Sequence, residues 1–74
     1  MKIAPLRVNR VRELRVAAGL LREDLAKRAD LLPNTVARLD ANPSIMPRLD
    51  VAVALSKALG VPVDHLIRDI FTPA

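Results

Sequence analysis

The sequence predicts an all-α fold of five short helices, with a short extended segment at the front as its one non-helical element. Three observations carry this. Apolar residues recur three and four positions apart through most of the chain, and no stretch alternates strictly for long enough to make a central strand. Pro5, Gly19, the region 30–33, the region 42–47, Gly60 with Pro62, and Pro73 cut the chain into segments of helical length. Finally, 74 residues with 51% hydrophobic content and no cysteine make one small domain, 1–74. Its stability must come from packing, because neither disulfides nor a thiolate metal site can supply it.

Each element has its own local reason. Ile3, Leu6 and Val8 suit an extended segment, which Pro5 confines to an edge. Asn9 is placed to cap a first helix over 10–18, with Val11, Leu14 and Ala18 on one stripe and Gly19 as its stop. A second helix over 21–29 sets Leu21, Leu25 and Ala29 on its inner side, with Ala26 beside them. A third, over 33–40, begins on Pro33, a residue suited to a first helical turn. Leu32, Val36 and Leu39 point inward from it, and Asn34, Ala37, Arg38 and Ala41 point out. The fourth helix, 48–59, has a thin polar side of Asp50 and Lys57 and is otherwise nearly all apolar, which predicts burial on more than one side. After Pro62, residues 63–70 read as a fifth helix carrying Leu66, Ile67 and Ile70.

Charge is unevenly spread. The chain has 12 Lys+Arg against 8 Asp+Glu, a net +4. Residues 1–28 hold eight of the basic residues and three of the acidic ones; 29–74 hold four and five. The positive excess therefore belongs to the first two helices, where it suits a polyanion. Solubilising the outside of a short helix is the plainer use of the same arginines.

The segments 21–29 and 33–40, joined by a very short turn, describe a helix-turn-helix over 21–40. A small residue in the first helix lets the second approach, and a branched residue ten positions later fills the contact; Ala26 and Val36 stand at that spacing. The residue four after the alanine must turn the chain sharply, often at positive φ, and Asp30 tolerates this less well than glycine.

The run NRVRELRVAAGLLREDLAKRADLLPNTVARLD resembles the lambda-repressor/Cro-like helix-turn-helix family, whose first helix reads N-R-[IV]-R-x-L-R before Gly-Leu. The run PRLDVAVALSKALGVPVDHL is similar to that family's fourth and fifth helices. The likeness covers about residues 9–67, with one extra residue between Asp40 and Pro47. It implies a small XRE-type regulator that binds double-stranded DNA as a homodimer, most often as a repressor, with helix 33–40 in the major groove. It also implies a bacterial or phage origin and a cytoplasmic location, at the nucleoid when bound.

By the same resemblance, Arg22 stands where relatives carry a backbone-touching glutamine, and an arginine can take over a phosphate contact. Asn34 and Arg38 occupy outward positions of the recognition helix, where asparagine can pair with adenine and arginine with guanine. Thr35 sits at the edge, nearer a phosphate than a base. Arg10 and Lys27 add general attraction to the duplex. The plainer roles are an ion pair for Arg38, backbone hydrogen bonding for Asn34, and an ion pair of Arg15 with Glu23 or Asp24. Leu21 and Leu32 depart from the Thr or Ser caps of relatives, and Pro33 replaces a long polar reader.

Other classes of function fall away. No apolar run reaches the ~18 residues of a membrane span, and MKIAPLRVNR has no apolar core of a signal peptide. No helix pairs a basic side with a wide lipid-facing stripe, so no membrane partner is expected. His65 and Ser56 lack the neighbours that catalysis or a metal needs, and neither enzyme activity nor a cofactor or metal is expected. With two glycines there is no phosphate-binding loop. With Phe71 the single aromatic residue, no platform exists for stacking unpaired bases. The apolar surplus lies mostly on the fourth helix and on Ile67, Ile70 and Phe71 of the tail, with Ile3 and Leu6 as further candidates. It predicts a two-fold interface made by the tail, 60–74, with part of the fourth helix or the N-terminal segment. The competing reading is a protein-interaction module on the same fold, an antitoxin or antirepressor whose protein partner covers that surface, with DNA binding secondary.

Overall fold

The computed structural model describes residues 5–71, with side chains over 7–67. Strand β1 (Pro5–Asn9) is followed by helices α1 (Val11–Ala17), α2 (Arg22–Ala29), α3 (Pro33–Ala41) and α4 (Leu49–Leu59). A 3₁₀ turn (Val63–Leu66) then leads into strand β2 (Ile67–Phe71). Ile3 lies outside the described residues, as do the side chains of Leu6, Ile70 and Phe71.

The first four helices form where the sequence places them, each within about two residues of its expected ends. Three of their stops share one geometry. Gly19 (φ 71°), Asp30 (φ 55°) and Gly60 (φ 69°) are left-handed. After each, the next amide reaches back to a carbonyl in the last turn: Leu20 to Arg15 at 3.1 Å, Leu31 to Ala26 at 2.9 Å and Val61 to Ser56 at 3.0 Å. These bonds satisfy carbonyls that a helix end leaves bare.

The expected fifth helix is corrected to a 3₁₀ turn and a strand, so the fold is not wholly α. The chain leaves helical angles at Ile67 (φ −121°, ψ 133°) and pairs antiparallel with β1, in the register Pro5↔Phe71 to Asn9↔Ile67. β-branched and aromatic residues in Ile67–Phe71 favour the extended form. What decides it is the row of backbone partners on β1, at the far end of the chain, which local periodicity does not register. Pro5 is the first residue of its strand, a position where its missing N–H is tolerated.

The core joins Val11 of α1, Leu25, Ala26 and Ala29 of α2, Val36 and Leu39 of α3, Ala52 and Leu55 of α4, and Leu66. Ala26 and Val36 are 2% and 0% exposed, so the ten-residue spacing marks a close helix contact. Three apolar residues expected inside lie outside. Ala18 is exposed, Leu21 is 63% exposed and Leu32 is 74% exposed, the last two because they occupy the N-cap positions just before α2 and α3 begin. On α4, Ala52, Leu55 and Ser56 are buried and Val51, Val53, Ala54, Ala58 and Leu59 half-buried, whereas Leu49 is 76% exposed.

Asn9 ties the two ends of this arrangement together. Its Oδ1 accepts from the Val11 amide at 3.1 Å, which serves the start of α1, although the N-cap position itself falls on Arg10. Its Nδ2 donates to the carbonyls of Asn42 (3.1 Å) and Ile45 (2.6 Å), and its backbone amide donates to Pro43 (2.7 Å). The loop between α3 and α4 is thus fastened to the end of β1.

Candidate nucleic-acid interface

α3 presents the polar groups that could meet a ligand. Pro33 opens the helix, and Val36, Leu39 and Asp40 anchor its inner side. Asn34 and Arg38, one turn apart, are exposed, and their side chains make no hydrogen bond or ion pair among the described residues. Thr35 is half-buried and lines, with Arg38, a groove of about 330 Å³ whose floor includes Leu39, Ile45 and Val51. Arg48 lines the same groove. It is the residue just before α4, is 85% exposed at its side chain and pairs loosely with Asp50 at 3.5 Å. Sequence reasoning missed Arg48; a lone basic residue just after Pro47 carries little signal until the loop folds it beside α3.

The other expected residues are engaged differently. The Arg10 guanidinium meets both carboxylate oxygens of Glu13 at 3.1 Å and donates to the His65 carbonyl at 3.2 Å. The hydrogen bond to Glu13 raises its pKa further above the ordinary arginine value. Arg10 therefore joins the start of α1 to the 3₁₀ turn. Lys27 is exposed and lines a separate groove with Glu23, Asp30 and Pro33, at the turn between α2 and α3.

Arg15 and Arg22 converge on Asp40, a residue of α3 that is 2% exposed. Arg15 Nε lies 2.7 Å from Oδ1, and its Nη1 donates to the Leu20 carbonyl at 2.7 Å. Arg22 Nε approaches Oδ2 at 3.2 Å. The expected pairing of Arg15 with Glu23 or Asp24 is replaced by this one; Asp24 instead accepts from the Leu21 amide at 3.1 Å, half of a capping box. A buried carboxylate is tolerated only with its charge met and its lone pairs bonded. Arg15 donates to both oxygens, Nε to Oδ1 and Nη2 to Oδ2 at 3.5 Å, and Arg22 adds a second positive charge. Their side chains differ in exposure, 12% for Arg15 and 55% for Arg22. Arg15 is part of the interior; Arg22 reaches the surface beside the last turn of α3.

Two helices in close contact, with an exposed polar face on the second and arginines around it, define a helix-turn-helix. A family model for helix-turn-helix proteins, HTH_3, matches residues 11–66. The chain belongs to that XRE-type family of DNA-binding transcription regulators. Among solved structures it is similar to the restriction-modification controller protein C.AhdI from Aeromonas hydrophila, at 32% identity and TM-score 0.69 over 77% of this chain and 85% of that one. A candidate DNA-binding protein from Bacteroides fragilis matches at 26% identity and TM-score 0.72, over 84% and 98% of the two chains. Streptomyces albus HEPD, solved with 2-hydroxyethylphosphonate and Fe(II), matches at 27% identity and TM-score 0.71, over 81% of this chain but 16% of its own. Comparison with curated proteins finds no match. No helix among the described residues is long and apolar enough to cross a membrane.

Proposed function

We propose that this protein reads a specific double-stranded DNA site as a homodimer and represses transcription from it, with α3 in the major groove. The observation that supports this best is the pair Asn34 and Arg38, exposed one turn apart, with side chains that have no partner among the described residues. Asparagine and arginine are the side chains suited to bidentate pairing with adenine and guanine. Arg22 on one side and Arg48 on the other are the phosphate contacts, with Thr35 between them; Arg10 and Lys27 add charge without base contact. The reading assigns no catalysis: Ser56 is buried with its hydroxyl donated to the Val53 carbonyl. Dimerisation falls to the sheet, where β1 and β2 are the two strands among the described residues and a second copy pairs along the far edge of β2.

The test is selection of bound duplexes from a random pool. A palindrome with half-sites ~34 Å apart supports the whole reading. Arg38→Ala then flattens the base preference, and Arg22→Ala weakens all duplexes alike. An enriched site without symmetry removes the dimer; no duplex bound more tightly than the nonspecific ~10⁻⁴ to 10⁻⁶ M removes DNA readout. One observation favours a second reading, a module for a protein partner of the antitoxin or antirepressor kind: Leu21, Leu32 and Leu49 are each more than half exposed. Failure of the selection, with a partner copurifying under native expression, supports that alternative.

A further inference from the structure

We infer that Asp40, though buried and out of reach of any ligand, is a positioning residue for DNA: it holds the Arg22 guanidinium ready for a duplex phosphate. The inference rests on the DNA-binding reading above. Its basis is an imbalance in the cluster. One arginine suffices to neutralise one carboxylate, and Arg15 does so with a 2.7 Å contact, a second bond to the Leu20 carbonyl and a side chain only 12% exposed. Arg22 is the surplus cation. Its Nε lies 3.2 Å from Oδ2 as an ion pair without a hydrogen bond, Oδ2 already accepting from Arg15 Nη2 at 3.5 Å, and its side chain stays 55% exposed.

Arg22 also stands at the first position of α2, where the positive end of the helix disfavours a cation. The contact with Asp40 offsets that repulsion and fixes a long, flexible side chain by its inner nitrogen. A guanidinium restrained by an ion pair on its Nε side can turn its Nη edge to an anion with less loss of side-chain freedom on binding than an unrestrained one. Because Asp40 belongs to α3, the tether also sets the phosphate contact at a constant distance from the recognition helix.

A double-mutant cycle on the intact protein tests this, with affinity measured for the selected duplex at several salt concentrations. Arg22→Ala is expected to weaken binding roughly tenfold and to reduce the log–log salt slope by about 0.9. Asp40→Asn, which keeps the shape, is expected to weaken it roughly threefold to tenfold, and the double variant to bind no worse than Arg22→Ala alone. Arg22→Lys, which keeps the charge and loses Nε, should match Asp40→Asn and not the wild type. A purely structural Asp40 would lower the melting temperature without this coupling. Independent, multiplying losses overturn the inference, as does tighter binding by Asp40→Asn, which would mean that the carboxylate competes with phosphate. If Asp40→Asn does not fold, Arg22→Lys decides: wild-type affinity for that variant overturns it. Should the wild type bind no duplex, the DNA reading fails and this inference with it; uncoupled variants of a wild type that does bind overturn the inference alone.

Discussion

Replacing Asn9 by alanine removes one small side chain and three hydrogen bonds. The Val11 amide loses its acceptor at the start of α1, and the Asn42 and Ile45 carbonyls lose their donor. At about 1 kcal/mol net for each bond, the loss comes to about 3 kcal/mol. Asn9 is only 6% exposed, so water does not readily replace the missing partners. A domain of this size is worth roughly 4–11 kcal/mol in all, at 0.05–0.15 kcal/mol per residue. Asn9→Ala should therefore remove a quarter or more of the stability. Urea unfolding followed by far-ultraviolet circular dichroism measures it; with a slope near 1 kcal/mol/M, the midpoint should fall by about 3 M. Asn9→Asp sharpens the test, because it keeps the acceptor for Val11 and turns a second oxygen toward two carbonyls. It should cost at least as much as alanine. A loss below about 1 kcal/mol for Asn9→Ala would show that the loop between α3 and α4 is held by other contacts and that the tie to β1 is incidental.

Three further outcomes are expected from chemical or thermal unfolding. Asp30→Gly should raise stability by about 1 kcal/mol, because Asp30 sits at φ 55° and places a negative charge at the end of α2; an unchanged or lower midpoint contradicts this. Arg15→Ala should cost about 3–5 kcal/mol by leaving a buried carboxylate short of its main partner, whereas Arg22→Ala, at a half-exposed position, should cost less than about 1 kcal/mol. Equal losses from the two would refute the division of roles within the cluster. Leu21→Ser and Leu32→Ser should each add about 0.5–1 kcal/mol by supplying side-chain caps that α2 and α3 lack, seen as higher melting temperatures.

Much of the scaffold was legible because its signals are local. Gly19 and Gly60 stop helices since only an uncrowded backbone turns left-handed cheaply there, and Asp30 follows the same rule at some strain. Ala26 and Val36, ten residues apart, announced the contact between α2 and α3. On the candidate interface, Asn34 and Arg38 were visible as outward positions of one short helix. Arg48 was not, because its place beside Arg38 depends on the path of an irregular loop. Asp40 was not either. In sequence it is one more acid at the end of a helix, and nothing local shows that two arginines from other helices will close over it. Leu21 and Leu32 misled in the opposite direction: their apolar character suggested burial, yet both precede their helices by one residue and point away from the core.

The uneven charge, the order of four helices and their stops, and the helix-turn-helix spacing were thus properties of the sequence alone. They depend on backbone preferences and on contacts a few residues apart. Only the tertiary structure decided that Ile67–Phe71 is a strand, that Asn9 fastens a distant loop, and that Arg15 and Arg22 share one buried carboxylate. Each of those choices is made by a partner far along the chain, whose attraction outweighs a local preference by no more than a few hydrogen bonds or one ion pair.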